Sequence, residues 1–305
     1  MISWLKVYFC GVLMGMADVV PGVSGGTMAF ILGIYDRLIG ALSGVDKTSL
    51  TMLCKRDVKG IWHHFDLGFL LVLGAGIVTS IILFAQVITY WLSAYPTYLW
   101  SFFFGLILAS SVLLLKQIHV VNRQVVVFFV LGACLGVLAS VLVPMQFDVT
   151  YGMVFFSGMI AICAMILPGI SGSFLLLLMG MYETIITSIK SMQLDVIIIF
   201  VVGAFLGLMS FSKLLKWLLT GYKSITLASL TGVMLGALIK VWPWKETQEW
   251  LQVGDKKVSA VESLILPWHL ENYHIVTDLV LPIICMFAGL IGVFLINYIF
   301  LPKVK

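Results

Sequence analysis

The sequence predicts an all-α integral membrane protein of two inverted-topology repeats, each a re-entrant helical hairpin followed by three transmembrane helices. Three observations predict it: the composition is too apolar for water, six apolar stretches have membrane-spanning length, and a Pro-Gly-x-Ser-Gly break occurs twice, each time inside an apolar stretch too long for one span.

Hydrophobic residues make up 61% of the chain and charged residues 10%, with a mean hydropathy of +1.12. A soluble domain of 305 residues carries more charge than this. The net charge of +4 does not indicate a nucleic-acid partner, because the Lys and Arg residues sit in short segments between apolar runs, where membrane topology explains them. Cys10, Cys134, Cys163 and Cys285 lie in apolar stretches and Cys54 in a polar one, so no disulfide framework or metal-ligand spacing arises. His63 and His64 are neighbours and lack the i, i+4 spacing of two ligands on one helix face. No metal and no cofactor is expected. The apolar run Val7 to Ala17 behind Lys6 has the look of a signal peptide. It leads, however, into a motif that recurs in mid-chain, which assigns it to the mature fold.

The six full-length spans run near Leu67 to Leu92, Tyr98 to Leu115, Val125 to Val143, Val196 to Leu214, Ile225 to Val241 and Val276 to Phe300. Two further stretches, Leu5 to Leu42 and Gly152 to Ile189, are broken by Pro21-Gly22-Val23-Ser24-Gly25-Gly26-Thr27 and Pro168-Gly169-Ile170-Ser171-Gly172-Ser173. These align without a gap, and the agreement continues to Gly33 with Gly180, Tyr35 with Tyr182, and the acids Asp36 with Glu183. Gly74-Ala75 then matches Gly203-Ala204, and Gly105 matches Gly232. The chain is therefore read as a duplication: a first repeat over 1–148 with its hairpin at 5–42, and a second over 149–305 with its hairpin at 152–189 and a polar outer loop at 244–278. Gly132 and Gly136, Gly203 and Gly207, and Gly232 and Gly236 carry the small-residue spacing that lets helices approach closely.

A continuous helix over either broken stretch would be roughly 57 Å long, nearly twice the roughly 30 Å hydrocarbon core. Pro removes a backbone donor and Gly permits positive φ, so the chain can turn back at each break. With both hairpins re-entrant and the N-terminus inside, only Lys190, Lys240, Lys245, Lys256 and Lys257 of the 18 basic residues fall outside. Three spans plus one re-entrant hairpin is an odd number of crossings, which inverts the second half and brings the two Gly-rich tips together near the midplane. Full crossing by both stretches is the alternative; it would make the halves parallel and weaken the charge bias.

Irregular backbone at membrane depth needs protein or water to satisfy it, so two such loops imply a polar interior cavity. Each loop starts a half-helix whose free N–H groups suit an anion, phosphate above all. Ser24, Gly25, Gly26 and Thr27 in the first loop, and Ser171, Gly172 and Ser173 in the second, are the substrate-binding candidates. Their hydroxyls add donors and their glycines allow close approach. Asp18 precedes the first break by three residues, and its repeat mate is Met165. It reads either as a proton-coupling group, since burial disfavours the charged form of a carboxyl, or as a structural helix-end acid. Asp36 and Glu183 fall about 15 residues past the prolines, roughly 20 Å along a straight helix. They are candidate gates or solvated interfacial anchors. Arg37 is a candidate entrance cation or a positive-inside anchor. The segment 244–278, rich in acids and Trp, reads as an outer loop on the interface.

The run Gly15-Met16-Ala17-Asp18-Val19-Val20-Pro21-Gly22-Val23-Ser24-Gly25-Gly26-Thr27, with Gly33-Ile34-Tyr35-Asp36 and the second-half Pro168-Gly169-Ile170-Ser171-Gly172-Ser173, resembles the bacterial polyprenyl-phosphate transporters over essentially the whole chain. The resemblance implies a multi-pass protein of the bacterial cytoplasmic membrane that returns undecaprenyl phosphate from the outer to the inner leaflet. Its partners would be the prenyl-phosphate lipid and membrane lipids. It settles no role for Asp36, Arg37 or Glu183. A transporter of a small water-soluble anion remains an alternative from the residues alone. A lipid-phosphate enzyme is less supported, because no nucleophile-base or paired-acid cluster lies near the breaks.

Overall fold

A computed structural model of the protein describes residues 3–19, 24–45, 47–142, 149–253, 256–270 and 273–300. The first broken stretch forms α1 (Trp4–Asp18), α2 (Gly25–Ile31) and α3 (Tyr35–Leu42). Two short helices, α4 (Lys47–Cys54) and α5 (Val58–His64), lead into α6 (Leu67–Ala94), α7 (Pro96–Leu115) and α8 (Arg123–Val141). The order then recurs as α9 (Tyr151–Ile166), α10 (Gly172–Leu178), α11 (Tyr182–Lys190), α12 (Leu194–Gly221) and α13 (Lys223–Ala237). A strand pair, β1 (Lys245–Val253) and β2 (Lys256–Leu264), precedes α14 (Leu281–Phe300). The limit between the repeats expected at 148 falls beside residues 143–148, which lie outside the described residues.

Among the described residues five helices are long and apolar enough to cross a membrane: those of Leu67–Phe84, Pro96–Leu115, Arg123–Val141, Leu194–Gly221 and Ile275–Ile299. Their outward faces expose Leu71, Ile82 and Leu83 on α6, Leu131 and Leu135 on α8, and Phe205 on α12. Water would make such a surface costly, whereas lipid is its natural solvent. The protein is thus a multi-pass, all-α membrane protein in its embedded part. Pro96 at the first position of α7, where its missing N–H costs no helical bond, separates α6 from α7 within one long apolar run. Asn122 and Thr150 cap α8 and α9 by accepting from Val125 N and Met153 N.

The structure corrects the sequence expectation at four places. The span expected over Ile225–Val241 is helical for 15 residues, to Ala237, and continues to Val241 only as turns. The segment after α13 is not a plain loop: β1 and β2 pair as an antiparallel hairpin. The half-helices after each break are not straight. Gly33 (φ 68°) and Gly180 (φ 65°) stop α2 and α10 after seven residues each. There the Ile34 N–H reaches Ala29 O and the Gly33 N–H reaches Phe30 O, and Met181 and Gly180 repeat the pattern on Leu176 and Leu177. These are Schellman-type ends, which need a left-handed residue and reward glycine. Between α10 and α11 the chain bends by 107°. Asp36 and Glu183 therefore sit in the first turns of separate helices, α3 and α11, and not 20 Å down a single axis.

The fourth correction concerns helix packing. Helices pair through glycines whose Cα atoms lie against carbonyls of the partner. A methyl group at Gly11 would strike Leu73 O, one at Gly76 Tyr8 O, one at Gly158 Phe200 O, and one at Gly203 Phe155 O. Gly76, not Gly74, is thus the packing counterpart of Gly203; Gly74 has nothing within 4 Å. The remaining spans pair across the halves, α7 with α14 and α8 with α13. Gly105 lies on Met286 O and Gly232 on Phe129 O; Gly289 lies on Phe102 O and Gly132 on Ser229 O. The register also gives direction. Gly11 meets Leu73 and Gly15 meets Ile77, so α1 and α6 run parallel. Phe155 with Gly203 and Met159 with Gly207 make α9 and α12 parallel, and Phe129 with Gly232 and Ala133 with Gly236 do the same for α8 and α13.

Gly105→Leu and Gly232→Leu are expected to lower stability by a similar amount, about 1–3 kcal/mol each, by forcing their helix pairs apart. Gly292→Ala, at a position with nothing within 4 Å, is the control that leaves the detergent melting temperature unchanged.

Candidate functional site

In the first break, residues 20–23, Pro21 and Gly22 among them, lie outside the described residues. Asp18 is the last residue of α1, and its carboxylate accepts the Gly25 N–H at 2.7 Å. Ser24 caps α2: its Oγ accepts the Gly26 N–H at 3.1 Å. The amide end of α2 is therefore met by the protein's own groups. A methyl group at Gly25 would come within 2.5 Å of the Asp18 carboxylate, and one at Gly26 within 2.5 Å of Ile166 O. These glycines make room for Asp18 and for the opposite loop.

The second break is held by the first. The last carbonyls of α9 have no helical partner, as at any helix end, and the first hairpin supplies the donors. The Ser24 hydroxyl lies 3.1 Å from Met165 O and 3.0 Å from Leu167 O, and the Tyr35 hydroxyl donates to Ile166 O at 3.2 Å. In return, the Gly169 N–H donates to Thr27 Oγ1 at 3.0 Å. Ser24 and Thr27 are fully buried in this junction. Gly169 has φ 89°, and a side chain there would also press on Met234 Cα at 2.9 Å. Phe30 stacks on Tyr35 with centroids 3.6 Å apart and so fixes the donating hydroxyl.

A cavity of about 210 Å³ opens beside this junction, lined by Asp18, Ser171, Gly172 and Ser173 together with Met165 and Phe200. Ser171 and Ser173 place their hydroxyls 2.9 Å apart, and Ser171 makes no side-chain bond to the amides of α10. The sequence candidates thus divide. Ser24, Gly25, Gly26 and Thr27 are turned into the loop junction, whereas Ser171, Gly172, Ser173 and Asp18 meet at one cavity. Ile170 and Ser171 also line a much smaller cavity, of about 10 Å³, with Ser140, Phe174 and Lys240. Lys240 is not among the sequence candidates; its signal in the sequence is a cation at the end of an apolar run.

Asp36, Arg37 and Glu183 lie away from both linings. The two acids sit at helix N-termini, where the macrodipole favours negative charge. Arg37 is engaged by Asp66 in a two-pronged ion pair, Nε to Oδ2 at 2.6 Å and a terminal nitrogen to Oδ1 at 3.1 Å, with its guanidinium 4.3 Å from the Phe69 ring centroid. This ties α3 to the start of α6.

Thr27→Val keeps the shape at the junction but strands the buried Gly169 N–H. A loss of about 1–3 kcal/mol is expected, read as a lower melting temperature in detergent, with Thr27→Ser close to the parent protein.

The chain matches the undecaprenyl phosphate translocase-like family (VCA0040-like) over residues 14–258. It is 46% identical over 217 residues to the polyprenyl-phosphate transporter of Vibrio cholerae serotype O1 (strain ATCC 39315 / El Tor Inaba N16961), covering 71% of this chain and 70% of that protein. It is 30% identical over 235 residues to the polyprenyl-phosphate transporter of Staphylococcus aureus (strain NCTC 8325 / PS 47), covering 71% and 78%. No solved structure matches it. A match that takes in both loops and most of the spans means that this chain belongs to the undecaprenyl phosphate translocase-like family.

Proposed function

We propose that this protein carries a polyprenyl phosphate across the bacterial cytoplasmic membrane, returning undecaprenyl phosphate from the outer to the inner leaflet, as a transporter and not an enzyme. The observation that carries the reading is the cavity at the loop junction, whose lining brings Ser171 and Ser173 together with Asp18. At about 210 Å³ it is smaller than the roughly 300–1,000 Å³ of sites that enclose drug-sized ligands. It suits a headgroup whose isoprenoid tail stays in lipid. Ser171, Gly172 and Ser173 would receive the phosphate. Ser24, Gly25, Gly26 and Thr27 would contribute by holding the second loop open toward it. Asp18 is placed to take up a proton as the anion arrives, because two negative groups in one low-dielectric space repel strongly.

The parallel helix pairs support re-entrant, inverted repeats. If α1 enters from one face and α6 runs parallel to it, the chain must return to that face through α2 to α5 before α6 begins. The same holds for α9 and α12 on the opposite face after three crossings. Both termini and most Lys and Arg residues then share one side, the cytoplasmic one by charge bias. The reading divides the chain into repeats at 1–148 and 149–305, with the β1–β2 hairpin on the outer side. Asp36, Arg37 and Glu183 are then interfacial anchors of the hairpin ends.

In proteoliposomes, Ser171→Ala with Ser173→Ala, or Asp18→Asn alone, is expected to slow flipping of a short-chain polyprenyl phosphate about tenfold or more, with insertion intact. Flipping at the parent rate sinks the site, and uptake of inorganic phosphate in place of lipid flipping assigns a small-anion transporter instead. Cysteines placed at the starts of α1 and α6 should label from the same face; labelling from opposite faces rules out re-entry of the first hairpin.

A further inference from the structure

Beyond the second loop lies a charge cluster with no part in the reading above. Lys240, past the end of α13, and Lys245, the first residue of β1, both place Nζ 3.2 Å from the same oxygen of Glu262 in β2. Lys245 Nζ also donates to Lys240 O at 2.6 Å. Both cations are largely out of water, with side chains 19% and 8% exposed. Lys240 lies 4.9 Å from the Phe174 ring centroid and Lys245 4.3 Å from that of Trp100. Two shielded ammonium groups on one carboxylate leave an excess of positive charge. Such an excess is costly in a low-dielectric setting unless an anion joins it. Burial pushes Lys245 down to about 8 even though Glu262 pulls the other way.

The position of the cluster links it to the loop. Lys240 shares the smaller cavity with Ser171, and Ser171 also lines the larger cavity with Asp18. By the packing register that matches Gly105 with Gly232, the counterpart of Lys240 in the first half is Leu113. The first half thus carries an apolar side chain where the second carries Lys240.

We propose that Lys240 and Lys245 form a phosphate-monoester binding site at the β-hairpin mouth of the second loop, with Glu262 as the internal anion that the incoming phosphate displaces. The inference rests on the transport reading only for the source of that phosphate, a lipid headgroup. The cavity that Lys240 shares with Ser171 is only about 10 Å³, so the phosphate would take the place that Glu262 leaves between the two ammonium groups. Glu262 keeps the cations paired when no substrate is present.

The test is equilibrium binding to the full-length protein in phosphatidylcholine nanodiscs. The probes are a short-chain polyprenyl phosphate, the matching polyprenol, and inorganic phosphate as competitor. Lys240→Gln is expected to weaken the phosphorylated lipid about tenfold with little change for the alcohol, and Glu262→Gln to tighten it severalfold. Parent-like affinity in Lys240→Gln overturns this site and leaves the transport reading standing. Parent protein that does not distinguish the phosphorylated lipid from the alcohol sinks the transport reading itself. Competition by inorganic phosphate at equal concentration, again lost in Lys240→Gln, keeps the site but assigns it to free phosphate. If Lys240→Gln does not fold, Glu262→Gln decides: tighter binding upholds the site, and unchanged or weaker binding overturns it.

Discussion

Inside a bilayer every backbone polar group must find its partner within the protein, and the two loops of this chain meet that demand by using each other. The carbonyl end of α9 is served by Ser24 and Tyr35, and the Gly169 amide by Thr27. The amide end of α2 is served locally, by Asp18 and Ser24. Each buried group left unpaired would cost about 1–3 kcal/mol, so the loops hold their positions jointly. From this follows a division of labour between two loops of similar sequence. Ser24 and Thr27 of the first loop are taken up in the junction, while Ser171 and Ser173 of the second line the cavity.

One change that separates them is Asp18 against Met165. A carboxylate at the end of α1 fills the space over Gly25, and a thioether at the corresponding end of α9 is only a weak acceptor for the equivalent amide. Around this asymmetric centre the rest of the molecule is regular. Glycine against carbonyl recurs in matched pairs, Gly11 with Gly158 and Gly105 with Gly232. Parallel helices gain nothing from their dipoles, so close van der Waals approach has to hold them, and only a residue without a side chain permits it.

Much of this was legible in the residues. The breaks, five of the six apolar spans and the family motif are local or periodic signals. What escaped were properties set by contacts distant in sequence. Gly33 and Gly180 were seen as repeat markers, but helix ends at those points depend on left-handed backbone that a pattern of apolar residues hides. Ser24 and Thr27 looked like ligand donors because nothing in the sequence says that their partners lie some 140 residues away in the other loop. Gly76 was passed over for Gly74 because a helix face is decided by packing. Lys240 looked like a topology marker until Glu262 and Lys245 were brought to it by the β-hairpin.

The crossing of helices between halves bears on how the chain is made. The glycine face of α7 belongs to α14 and that of α8 to α13, so neither half possesses the surfaces it needs. While the ribosome is still at work, α7 and α8 have no glycine-packed partner until α14 and α13 follow them. Biogenesis therefore ends in a concerted closure: a truncated product has no stable half to fall back on, and quality control in the membrane meets one assembly and not two.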